Sequence, residues 1–149
     1  MKRSAAALLV GAFVVGTLDL LFAIGFWLPK GVAPIRILQS IAAGVLGRAS
    51  FTGGKQTAVL GGLLHYFIAF VIVLVYWLSA KRIEILQRKP ILLGALYGIG
   101  VYLFMNYVVI PLSAAKPSRF NLVWVVASVI VHMFLIGVPA AIAARKALR

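Results

Sequence analysis

The chain contains no cysteine, which excludes disulfides, thiolate metal sites and cysteine nucleophiles. It is nearly as poor in acid: two carboxylate side chains, Asp19 and Glu84, stand against 15 Lys and Arg in 149 residues. Paired carboxylates for general acid and base work are therefore absent, and so are a GxSxG serine and a phosphate-cradling glycine loop after a strand. Hydrolytic and phosphoryl-transfer chemistry is not expected. The chain reads as non-enzymatic, with no cofactor.

What is present is apolar. Hydrophobic residues make up 64% of the chain and the mean hydropathy is +1.10, against about half apolar for a soluble domain. This is a polytopic membrane protein, with the lipid bilayer as its first partner. The basic residues lie between and beyond the apolar runs, as topology signals and contacts to anionic lipid headgroups do. A nucleic-acid partner is not expected.

The fold class expected is all-α: a four-helix transmembrane bundle forming a single domain, residues 1–149, with spans over about 4–28, 57–79, 91–110 and 121–144. The first run resembles a secretory signal at Lys2 and Arg3, but no small-x-small cleavage site follows and it continues to Trp27. Pro29 and Gly31 stop it. Between spans one and two, residues 34–50 place Leu38, Ile41, Ala42, Val45, Leu46 and Ala49 at helical spacing, with Arg36, Gln39, Ser40 and Arg48 largely elsewhere. That pattern predicts a short amphipathic helix in the membrane interface.

Lys2, Arg3, Lys81, Arg82, Arg88, Lys89, Arg145, Lys146 and Arg149 fall on one side of these spans. Lys30, Arg36, Arg48, Lys55, Lys116 and Arg119 fall on the other. The positive-inside rule puts both termini in the cytoplasm. Glu84, among the loop's basic residues, is expected to make local ion pairs.

Helices in lipid meet through small residues that admit close backbone approach. Gly16 marks such a face on span one, Gly61 and Gly62 on span two, and the GxxxG pair Gly94 and Gly98 on span three. Each lies near a polar residue set deep in its span: Asp19, His65, Asn106 and, in span four, His132. The helical rise puts Asp19, His65 and His132 roughly 12 to 17 Å below the outer boundary and Asn106 about 6 to 8 Å below it. A charge at Asp19's depth costs about 3 kcal/mol on insertion scales, so it is expected to face protein, water or a partner.

Three uses of this cluster are open, and the first is the leading reading. A hydrogen-bonded plug, with Tyr107 as a further member, would set helix register, and the chain would then be a non-enzymatic envelope module. Asp19 with the histidines could instead carry protons in a small proton-coupled transporter or channel subunit. A haem or metal held by His65 and His132 is a more distant alternative, without an HxxxH or CxxCH motif behind it. A homo-oligomer or a membrane-protein partner is compatible with the small-residue faces.

The stretches GGLLHYFIAFVIVLVYW, LLGALYGIGVYLFMNYVVIPLSA and VHMFLIGVPAAIAARKAL resemble small uncharacterised bacterial inner-membrane proteins of the YagU type. The shared features fall on His65, Gly94, Gly98, Pro111, Leu112 and His132, within residues 61–145. The resemblance implies a bacterial inner-membrane location and a family without an established activity.

Overall fold

The computed structural model describes residues 2–116 and 120–149; Arg119, counted above with the outer loops, lies outside them. Among the described residues the chain is all-helical. Helix α1 (Lys2–Trp27) is followed by α2 (Pro34–Leu46), α3 (Gly54–Arg82) and the short α4 (Ile85–Arg88). Helices α5 (Pro90–Leu112) and α6 (Leu122–Ala147) complete the order. Four of these, α1, α3, α5 and α6, are long and apolar enough to cross a membrane.

The helix ends have local causes. A 3₁₀ turn, Leu28–Lys30, closes α1, and Gly31 follows at φ 81°, its N–H bonded to the Leu28 carbonyl. A residue with a Cβ is disfavoured there. Prolines open α2 and α5 at their first turns, where a missing N–H costs nothing. Asn121 caps α6, its side-chain oxygen accepting from the Trp124 N–H at 3.0 Å. In the basic loop Glu84 pairs with Arg88 at 2.8 Å, an exposed contact of little stabilising value.

Helix α6 packs against α1, α3 and α5. Small residues carry that packing. Leu8, Ala12 and Val15 of α1 meet Ala69 and Val73 of α3 and Ile136, Ala140, Ala143 and Ala147 of α6. Beside them Tyr76 and Ala80 pack on Ala141 and Ala144, with Tyr97 of α5 against the group. Large apolar side chains point the other way: Leu9, Phe13, Leu63, Phe67 and Leu92 are exposed. In a protein without a water-driven core, tight van der Waals contact between backbones replaces bulky interior side chains.

The α5–α6 seam is closest. A Cβ on Gly94 would lie 2.8 Å from the Gly137 carbonyl, and one on Gly98 would overlap the His132 carbonyl. Gly137 abuts Gly94 and Gly98 in return. Gly16 lies under the Tyr66 ring, and Gly61 lies against the Leu38 carbonyl, where α2 crosses α3. Gly62 departs from the expected pattern. Its nearest neighbour would be a Leu38 methyl at 4.0 Å, because Gly61 alone sits on the line of contact. Gly11, against Ala143 of α6, is a close-packing position that sequence reading had left out.

Helix α2 is shorter than the predicted 34–50, its last turn being 3₁₀ over Gly47–Phe51. One side of it is buried in the protein. Ile37, Gln39, Ala42 and Ala43 are buried, whereas Val45, Leu46 and Ala49 are exposed. Gln39 is tolerated inside because its amide donors are used: Nε2–H donates to the Gly54 carbonyl at 3.0 Å and to Thr57 Oγ1 at 3.4 Å. Replacing Gln39 with Ala would remove the bonds from α2 to the start of α3, at a cost of about 0.5 to 1.5 kcal/mol for the hydrogen bond, since Thr57 Oγ1 still donates to the Gly54 carbonyl. The expected result is faster amide hydrogen exchange across Pro34–Leu46 with α1 and α6 unchanged.

Candidate functional site

Asp19, His65, Asn106 and His132, each from a different long helix, line one cavity of about 610 Å³. Its floor is the packed core, since Val15, Ala69 and Ile136 belong to both. Its roof is α2 with the segment after α5: Arg36, Ser40 and Gly44 on one side, Ser113 and Lys116 on the other. A backbone hydrogen bond, Ala114 N–H to the Gly44 carbonyl at 2.9 Å, ties the two halves of the roof together. Aromatic rings form much of the upper wall. Phe22 stacks on Trp124 at 5.2 Å between centroids, and Trp27 lies 5.3 Å from the same indole.

His65, Asn106 and His132 bond to main chain, and none of the four polar residues bonds to another. His65 Nε2–H donates to the Gly16 carbonyl at 2.7 Å, crossing from α3 to α1. Thr17 and Tyr66 share a second bond between the same helices, at 3.0 Å. His132 Nδ1–H donates to the Ser128 carbonyl at 2.8 Å within α6. Asn106 Nδ2–H donates to the Tyr102 carbonyl at 2.9 Å within α5. Because a carbonyl can only accept, each histidine tautomer follows from its partner. Asp19 has no hydrogen-bond or ion-pair partner among the described residues. Tyr107, expected as a fifth member, is 74% exposed and takes no part.

Both α5 and α6 widen into π-helix at this level. Met105–Val109 and His132–Gly137 are the two segments, so Asn106 lies in one and His132 opens the other. The cause is downstream. Ile110 N–H bonds back to Met105 and Val138 N–H back to Met133, and in each helix the next residue is a proline. A proline ring clashes with the carbonyl four residues before it, and one turn of i→i+5 bonding moves that carbonyl aside. Such turns recur at functional sites. The prolines were visible in the sequence, but a π register was not legible from them.

Ser128 is the residue whose role spacing alone did not show. It is 2% exposed, lines the cavity, and its hydroxyl has no hydrogen-bond partner. Among the described residues no three histidine, aspartate or glutamate side chains stand close enough to hold a metal ion.

Four membrane-length helices beside a largely apolar cavity that carries a few polar side chains define a multi-pass α-helical membrane protein. No protein family, curated protein or solved structure was found to match the chain.

Proposed function

We propose that the chain is a small proton-coupled transporter or channel subunit, a non-enzymatic four-helix bundle of the bacterial inner membrane that uses Asp19, His65 and His132. The carrying observation is that these residues line a cavity of about 610 Å³ without bonding to one another. Of the three bonds that these side chains make, only that from His65 to the Gly16 carbonyl ties one helix to another. Here each histidine keeps one ring nitrogen uncommitted and Asp19 keeps its whole carboxylate. An intramembrane ionisable group that faces a cavity is suited to carrying a proton or a ligand.

The distribution of Lys and Arg supports termini in the cytoplasm, which puts the cavity in the outer half. Helix α2 then lies along the outer interface, with Arg36 and Arg48 exposed to headgroups and Val45 and Leu46 exposed to acyl chains. The loose resemblance to YagU-type proteins supports the bacterial inner membrane as the location.

Proton flux into liposomes, followed with an entrapped pH dye, tests the reading. Native protein is expected to carry protons above the lipid background, and Asp19→Asn is expected to return the rate to that background. Flux in Asp19→Asn equal to native, or none in the native protein, contradicts it.

A further inference from the structure

Once each polar side chain has met its backbone partner, what is left facing the cavity is largely acceptor. His65 has donated through Nε2, which leaves the Nδ1 lone pair. His132 has donated through Nδ1, which leaves the Nε2 lone pair. Asn106 has used Nδ2 on Tyr102 and keeps its carbonyl oxygen. An ionised Asp19 accepts only. The Ser128 hydroxyl, buried and unpartnered, can both accept and donate.

The groups that face Asp19 across the cavity are His65 from α3, Tyr102 from α5, His132 from α6, and the cations Arg36 and Lys116 in the roof. Both cations are exposed. Arg36 is turned toward the Phe51 carbonyl at 2.9 Å and Gln39 Oε1 at 3.4 Å, and exposed charge is screened by salt water. Neither neutralises the carboxylate. One helical turn above Asp19, Phe22 and Trp124 supply apolar surface and the negative faces that attract cations.

We propose that the cavity binds a protonated primary amine, its ammonium held by Asp19 and His132 and its apolar body lying against Phe22, Trp27 and Trp124. An ammonium brings three donors and a positive charge to the level of Asp19, where the free nitrogen and oxygen atoms of Asp19, His65, Asn106 and His132 accept. The cavity's volume is that of pockets for ligands of drug-like size. An anion meets Asp19 unfavourably, an alcohol brings one donor and no charge, and a quaternary ammonium has charge but no N–H. This assignment rests on the reading of the cavity as a proton and ligand site, since proton and amine compete for one carboxylate.

The full chain in phosphatidylcholine nanodiscs is titrated by calorimetry with phenethylammonium, its trimethylated analogue, 2-phenylethanol and 3-phenylpropionate. The expected result is that phenethylammonium binds at least tenfold more tightly than the other three, and that Asp19→Asn loses this preference. The ranking on native protein decides the matter even where that variant folds poorly. Equal binding of the trimethylated analogue or the alcohol overturns the proposal, as does an undiminished preference in a folded Asp19→Asn. Proton flux without any amine binding overturns the amine assignment alone, whereas amine binding without flux supports it and removes the proton-coupled reading.

Discussion

Gly98→Ala is expected to unfold at a clearly lower temperature than the native protein in mild detergent, while Gly100→Ala, two residues along the same helix, is not. The two substitutions add the same methyl group to opposite surroundings. At Gly98 the new Cβ would overlap the His132 carbonyl and come within 2.8 Å of the Met133 Cα, backbone atoms that cannot swing away. At Gly100 nothing lies within 4 Å. Overpacking of a tight interior costs about 1 to 3 kcal/mol and more where backbone must move, and helix propensity returns about 1 kcal/mol at most. Gly98→Ala should therefore lose stability, and Gly100→Ala should hold or gain. Gly137→Ala should behave like Gly98→Ala, since it meets Gly94 and Gly98 from the other side. Equal melting of the Gly98 and Gly100 variants would mean that α5 and α6 do not meet on this seam.

The second large effect is at Asp19, where stability and activity should separate. Asp19→Leu removes a carboxylate that has no partner among the described residues, so no buried partner is orphaned by the change. Leucine at that depth also avoids the cost of about 3 kcal/mol that insertion scales assign to a central acid. Melting in detergent should leave Asp19→Leu at least as stable as native, while its proton flux falls to background. Had Asp19 been a member of a satisfied network, its removal would destabilise by leaving other groups unpaired. A fall in stability of several kcal/mol on Asp19→Leu would sink the present account.

The spans were legible because lipid demands continuous apolar runs of a set length. The small-residue positions Gly16, Gly61, Gly94 and Gly98 were legible for a related reason, since only small residues admit touching backbones. Their partners were not. Sequence spacing describes one helix face at a time, so nothing in it paired Gly98 with the backbone of His132 or set Gly11 against Ala143. Gly62 shows the same gap from the other side, adjacent to a contact line that the sequence could not locate within one residue.

Helix α2 was legible as a short helix, but the side it buries was not. Helical spacing marks an apolar stripe without naming the neighbour that covers it, and Gln39 turns inward because its hydrogen bonds are met there. The four polar residues of the cavity were legible as exceptions within apolar helices. That they stay unbonded to one another was not, because the π turns before Pro111 and Pro139 and the roof contributed by α2 are products of the assembled fold.

The most direct measurement takes advantage of a chain without cysteine. Single cysteines are introduced as Ser128→Cys, Asn106→Cys, Ser40→Cys and Val126→Cys, and each is reacted with a small membrane-impermeant thiol reagent in oriented vesicles. Ser40 lies in the roof, Asn106 and Ser128 line the cavity, and Val126 is half-exposed on the outer surface of α6. A cavity reached by water makes Asn106→Cys and Ser128→Cys react on the same side as Ser40→Cys, with Val126→Cys silent in lipid. If Asn106→Cys and Ser128→Cys are as unreactive as Val126→Cys, the polar residues form a dry plug and the account fails.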